Sequence, residues 1–344
     1  MSIVANPETT LEVGAFVLGA LFGSIAQRSK FCMLAALSNW VIMRDYRQLH
    51  AALAAMAVAM VGTQWLESQG WVAVAESSYR STNVDWLGAV GGGLLFGLGA
   101  AVAGGCAART MVRAAEGNLG SLLALLTFGG ASMVALFGIL EPARRCLARS
   151  TSIHLVGGDA SIAALGHFSP WWAVGAFAVL AAGVIVLAGR RTRSLAMILA
   201  GVSIGVLVTA GWWLTGYLAR DEFSPSAPLS LTFSGPLARF TLYITTDLTT
   251  TSDFGIFLVA GALAGAFSMA VATRTFHTVA PESSRVGAYM LGGAFMGIGA
   301  IFAGGCNIGQ GLSGLATLSI QSTAAVVSIA FGMRLGVAWL DWHS

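Results

Sequence analysis

The chain holds four cysteines, Cys32, Cys106, Cys146 and Cys306, and their spacing limits the sulfur chemistry open to them. None belongs to a C-x-x-C pair, and no cysteine–histidine spacing matches a zinc site. The five histidines are scattered, so neither haem nor a metal cluster is expected, and no cofactor. What remains is the thiol itself, a weak S–H donor with a polarizable sulfur. That group suits a soft sulfur anion, whereas a hard oxyanion such as sulfate asks for backbone N–H groups and arginines. Several weak sites in series admit an ion and still release it, and three thiols are enough for such a series.

Two of the cysteines close matched segments. Residues 88–106 read GAVGGGLLFGLGAAVAGGC and residues 288–306 read AYMLGGAFMGIGAIFAGGC. They align without a gap, sharing Gly92 with Gly292, Gly97 with Gly297, Gly99 with Gly299 and the final Gly-Gly-Cys. Small residues at four-residue spacing let helices approach closely, which accounts for most of the 44 glycines. It does not account for two copies that both break into Gly-Gly-Cys, ending at Cys106 and Cys306, and continue with polar residues. The first continues through Arg109 to Arg113, the second through Asn307 and Gln310 in a stretch from Val286 to Met333 without a charged residue. Irregular polar backbone at membrane depth survives only when buried in protein or lining a wet cavity. Free N–H groups at a following helix start attract anions. Gly105, Gly305, Asn307, Gln310 and Arg109 are therefore expected to line a path, together with Gln27. Inside-loop charge is the competing reading of Arg109 and Arg113, and Glu116 is expected to pair with a nearby arginine. Cys32 follows Gln27, Arg28, Ser29 and Lys30, where cations concentrate an anion or depress a thiol pKa. Cys146 reads as a small filler in a loop.

These residues need a bilayer around them. Hydrophobic residues make up 56% of the 344 and charged ones 10%, against about 25% charged in soluble domains. The fold class is all-α and polytopic, with nine spans at about 11–27, 48–66, 86–104, 117–140, 171–189, 195–216, 254–272, 286–304 and 318–340. The piece 31–43 is too short to cross and reads as a half-helix or re-entrant segment. No cleavable signal peptide is expected, because residues 1–10 lack a basic n-region. Nor does any basic tract suggest nucleic acid.

With nine spans, Arg28, Lys30, Arg44, Arg47, Arg109, Arg113, the Arg190–Arg193 cluster, Arg274 and Arg285 share one side, which the positive-inside rule makes cytoplasmic. The N-terminus is then outside and the C-terminus inside. Arg144, Arg145 and Arg149 fall on the opposite side, against the rule. The matched segments lie on spans three and eight, which run in opposite directions. They imply one membrane domain of inverted halves, 11–140 and 195–340, joined by a connector helix at 171–194. Inverted halves with glycine-broken segments in corresponding places point to a transport site between them. A membrane thiol–disulfide oxidoreductase is the enzymatic alternative, and the lack of a C-x-x-C pair weighs against it. A mere anchor for a sulfur carrier would not need matched polar breaks.

Three segments carry a family likeness: Gln27 to Cys32 (QRSKFC), Gly104 to Asn118 (GGCAARTMVRAAEGN) and Gly304 to Gly311 (GGCNIGQG), with Ser230 to Phe233 and Pro236 as a weaker fourth. With them the chain resembles the YeeE/YedE (sulfur transport) family of bacterial membrane proteins, whose best-understood branch takes up thiosulfate. The resemblance implies an hourglass-like inner-membrane fold and a path along which Cys32, Cys106 and Cys306 pass thiosulfate by S–H···S contacts. Cys32 would sit on the cytoplasmic side, the other two nearer the constriction. It also implies a separate cytoplasmic TusA-like sulfur carrier as partner. Other branches of the family are linked to selenium, so another sulfur or selenium species is the alternative cargo.

Overall fold

Helix ends in this chain are set by residues that leave few alternatives. Pro7 opens α1 (Pro7–Ser29), with Glu8 in its first turn and Arg28 in its last, matching the helix dipole at both ends. Asp85 caps α4 (Trp86–Ala103) by accepting from the Gly88 N–H. Asn118 does the same for α6 (Leu119–Phe137) through Ser121, as does Asp253 for α12 (Phe254–Ala272) through Gly255. The computed structural model describes residues 7–154, 160–187, 194–220, 227–245 and 253–343.

Among the described residues, nine helices are long and apolar enough to cross a membrane. Besides α1, α4, α6 and α12 they are α3 (Arg47–Ser68), α9 (Pro170–Leu187), α10 (Leu195–Trp213), α13 (Val286–Phe302) and α14 (Ile320–His343). No end departs from the sequence expectation by more than four residues, the largest gap being Leu11 against Pro7. Segment 31–43 becomes α2 (Met33–Ser38) running into a π turn, Asn39–Met43. α5 (Ala107–Ala115) continues α4 after a break.

Several short elements are not in the sequence expectation. α7 (Glu141–Thr151) lacks a buried residue and therefore has no apolar run to betray it. α11 (Ser234–Thr245) begins Ser-Gly-Pro and reads as a loop. A short antiparallel pair, β1 (Asn83–Asp85) with β2 (Ser152–His154), ties the α3–α4 connection to the end of α7, with Val84 opposite Ile153. A four-residue turn, α8 (Ile162–Leu165), precedes α9.

The most extensive helix contacts are α1 on α12, α10 on α3, α4 on α14, α13 on α6 and α4 on α13. Exchanging α1 with α10, α3 with α12, α4 with α13 and α6 with α14 turns the first pair into the second and the third into the fourth, and carries α4 on α13 onto itself. The short helices follow the same exchange: α2 lies on α3 and α14, α11 on α12 and α6. Where α4 crosses α13, a side chain at Gly99 would put Cβ 2.6 Å from the Met296 nitrogen, and one at Gly292 would put it 2.6 Å from the Ala103 nitrogen. The shared glycines thus let two backbones touch.

Alternation of the nine helices puts Arg28, Arg113 and Arg274 on one side, while the Arg190–Arg193 cluster lies outside the described residues. Helix α7 brings Arg144, Arg145 and Arg149 to the other side, against α4 and α6.

Candidate functional site

Each of the three sequence-matched cysteines begins a helical turn after a break. Gly104 and Gly304 adopt left-handed conformations (φ 72° and 74°) that end α4 and α13 two residues before Cys106 and Cys306. The carbonyl of Cys32 then accepts from the Ala36 N–H, that of Cys106 from Thr110 at 2.8 Å and that of Cys306 from Gln310 at 2.7 Å. Cys32 and Cys106 stand at the N-caps of α2 and α5 in extended conformation, and Cys306 leads into a π segment, Gly309–Gly314. Each sulfur faces the N–H three residues on, at Ala35, Arg109 and Gly309. These are the groups a helix start leaves without intrahelical partners.

The fold brings these starts together. The Cys32 and Cys106 sulfurs are 3.7 Å apart and buried, and the Met33 N–H also faces Cys106. Cys306 is fully buried, with the Ile308 and Phe233 N–H groups turned to its sulfur. Asn307 is 3% exposed and faces the Cys106 thiol, yet neither its Oδ1 nor its Nδ2 completes a hydrogen bond. Burying an unsatisfied amide costs about 1–3 kcal/mol, and here two such atoms stand among thiols and free N–H groups. None of the four cysteines is in a disulfide; Cys146 is exposed on α7. Among the described residues no group of three His, Cys, Asp or Glu side chains gathers to hold a metal.

The remaining sequence candidates are placed as follows. Gln310 is buried, and its Nε2 donates to the Ala303 carbonyl at 2.8 Å, tying down the end of α13. Arg109 lies 3.6 Å from Glu116, the expected partner of an arginine, and Arg113 donates to the Gly104 carbonyl at 3.2 Å. Gln27 donates to Thr275 Oγ1 at 2.9 Å and stands apart, in a cavity between α1, α10 and α12. Gly105 has room for a side chain, with Thr110 Oγ1 at 3.4 Å from a built Cβ, while at Gly305 the Gln310 Cγ would stand at 3.1 Å. Gly304→Ala is accordingly expected to destabilise the fold by about 1–2 kcal/mol, the cost of forcing a left-handed L-residue. Gly105→Ala should unfold within a degree or two of the parent. Thermal unfolding of the two variants in detergent checks both.

Two mouths flank this centre. Toward the Arg28 side, a cavity of about 160 Å³ reaches Asn307 between Met33, Trp40, Met56 and Met333. On the opposite side a cavity of about 270 Å³ is lined by Tyr79, Thr232, Ser234, Gly304, Arg144 and Arg239, among others. Arg239 pairs with Asp253, whereas the buried Nε of Arg144 finds no acceptor. The stretch before α11 forms one wall and is pinned by side chains: Ser313 donates to the Leu231 carbonyl, Ser230 to Val208 and Thr215 to Leu229, each at 2.6 Å. Sequence reasoning missed this wall along with Tyr79, Thr232 and Arg144. The signals available were the weak Ser230–Phe233 likeness and the three arginines on the unexpected side.

Two relatives align over nearly the whole chain. A thiosulfate transporter, TsuA, of Escherichia coli (strain K12) is 30% identical over 351 aligned residues, covering 96% of this chain and 94% of its own. The thiosulfate transporter TsuA of Spirochaeta thermophila is 26% identical, covering 94% and 97%. A probable transporter of E. coli, YedE, matches 30% of the chain at 32% identity. The sulphur transport family matches residues 28–335, from the cations before Cys32 to the middle of α14, and so takes in all three buried cysteines. With nine helices fit to cross a bilayer and a match over that length, this chain is a multi-pass membrane protein of the sulphur transport family.

Proposed function

We propose that the protein imports thiosulfate across the bacterial inner membrane along its three buried thiols. The anion enters at the Arg144 mouth, passes Cys306, Cys106 and Cys32 in turn, and leaves on the Arg28 side. On this reading the N-terminus is outside and the C-terminus in the cytoplasm, as the basic residues favour. The observation that carries the proposal is Asn307: a buried amide with both polar atoms unsatisfied, facing a thiol that is itself 3.7 Å from another. Thiosulfate has a soft terminal sulfur and three oxygens on one central atom. Thiol S–H groups donate to the terminal sulfur, while Asn307 Nδ2 and the free N–H groups after each cysteine donate to the oxygens. Each contact is weak, so the ion steps from one to the next without a covalent bond or a change of oxidation state.

The same reading makes the two halves, 11–140 and 195–340, inverted copies joined at 171–194. The exchange of helix pairs described above supports it, as does the match of Gly-Gly-Cys at the ends of α4 and α13. A separate TusA-like sulfur carrier would be the partner on the Arg28 side. Transporters named for thiosulfate at 30% and 26% identity over almost the full chain support the cargo.

The test is uptake of ³⁵S-thiosulfate by the purified protein in sealed liposomes, with unlabelled competitors. Thiosulfate at tenfold excess should suppress uptake and sulfate at the same excess should not. Absence of uptake by intact, correctly inserted protein would remove thiosulfate import by this chain alone. Equal suppression by sulfate would remove the preference for a soft sulfur.

A further inference from the structure

A further cavity, larger than either mouth, is not on the thiol path. It holds about 530 Å³ between the Arg28-side ends of α1, α10 and α12, and its lining includes none of the buried cysteines. One part is polar: Gln27, Arg28, Ser29 and Lys30 from α1, with Thr273 and Thr275 from the end of α12. The other is apolar, formed by Ile25 with Met197, Leu199 and Ala200 of α10. Among the described residues no carboxylate lines it, and neither Arg28 nor Lys30 has an ion-pair partner.

One of its cations, Lys30, is held in an unusual way, shared by two arginines on the same side. α1 ends with the Lys30 N–H on the Gln27 carbonyl and the Phe31 N–H on Ala26, and α12 ends likewise, Arg274 on Val271 and Thr275 on Ala270. Such an ending calls for a left-handed residue, by default glycine. Here the positions hold Lys30 (φ 53°) and Arg274 (φ 54°), and Arg44 (φ 53°) closes the π turn after α2 in the same conformation. A left-handed L-residue costs about 1–2 kcal/mol, so glycine at any of the three would make the better helix end. The cationic side chains therefore answer to something other than local backbone preference. All three lie on one side of the membrane.

The apolar part says what the cations face. α1 shows Val17 and Leu21 on its outer face, α10 Leu195 and Leu199, and α12 Phe267 and Val271, all between 47% and 71% exposed. In a spanning protein these stripes meet acyl chains, and the cavity opens where they end. A basic pocket between spans at that depth suits a lipid headgroup, whereas a free anion would leave the wall of Met197 and Leu199 without a partner. Gln27 adds a further requirement: it is 4% exposed, lines the cavity and leaves Oε1 without a donor. A hydroxyl-bearing headgroup supplies one.

We propose that this cavity binds an anionic phospholipid with a hydroxylated headgroup, of the phosphatidylglycerol type. The phosphate sits between Arg28 and Lys30, a glycerol hydroxyl reaches Gln27, and an acyl chain lies along Ile25 and Leu199. Binding anchors the ends of α1 and α12, both of which pack on α5.

The test is native mass spectrometry and thermal unfolding of the full chain in detergent, titrated with phosphatidylglycerol, phosphatidylcholine, glycerol 3-phosphate and thiosulfate. Phosphatidylglycerol should be retained and should raise the unfolding temperature, while the other three leave it unchanged. Arg28→Gln and Lys30→Gly should each weaken phosphatidylglycerol roughly fivefold, the loss of one cation at a membrane surface. Lys30→Gly guards against misfolding, because glycine suits that backbone and the lipid-free variant should be at least as stable as the parent. Equal retention of phosphatidylcholine, or unchanged affinity in both variants, would overturn the proposal. A shift of the same size with glycerol 3-phosphate or thiosulfate would make this a free-anion site and overturn it equally.

Discussion

Cys106→Ala is expected to lower thiosulfate uptake into liposomes roughly 30-fold while leaving a folded protein. Cys106 is 1% exposed, and its sulfur lies 3.7 Å from Cys32 and faces Asn307, so it stands between the other members of the proposed series. Alanine removes a donor to a charged ligand, a contact worth about 1.5–3 kcal/mol, and each 1.4 kcal/mol is about a factor of ten. The ion would then have to cross from Cys306 to Cys32 with no soft partner between. The lost sulfur leaves a void smaller than a methylene pair, a modest cost beside typical core truncations of about 2–5 kcal/mol. Cys146→Ala, at an exposed position on α7, is the matched control and should transport like the parent. Equal uptake by Cys106→Ala and parent would sink the thiol relay and leave the transporter standing.

The second large effect belongs to Asn307, and it should separate transport from stability. Asn307→Leu removes two buried polar atoms that have no hydrogen-bond partner. Such atoms cost about 1–3 kcal/mol when unpaired, so the variant should unfold at the same temperature as the parent or higher. Uptake should fall roughly 10- to 100-fold, because the anion loses its polar contact beside Cys106 and meets an apolar side chain instead. A residue kept for structure behaves in the opposite way, losing stability first. Parent-like uptake by a well-folded Asn307→Leu would show that the amide does not meet the ion.

How much of this was legible beforehand follows from what each feature depends on. The spans depend on local hydropathy, which the bilayer reads over about 20 residues at a time, and α12 falls at the expected 254–272 without adjustment. The breaks after α4 and α13 were legible because glycine is the default left-handed residue, and the residues under that constraint are Gly104 and Gly304, the first glycine of each Gly-Gly-Cys. Glu116 pairs with Arg109 seven residues away along one short helix, a local contact. By contrast, α7 and α11 carry no apolar run long enough to announce themselves, and α11 begins with residues that elsewhere mark loops.

The sequence by itself determined that this is a helical membrane protein, where its spans lie and which cysteines stand at matched breaks, because hydropathy, glycine and helix capping act over a few neighbouring residues. Only the tertiary structure decided that Cys32 meets Cys106 across 74 positions, that Asn307 is left unpaired beside them, and that Arg144 opens onto a mouth walled by Thr232 and Tyr79. It also decided that Gln27 lines a cavity whose walls include none of the buried cysteines. Those outcomes depend on which helices cross and how closely. Glycines far apart in the chain set that distance by letting backbones touch, as Gly99 and Gly292 do.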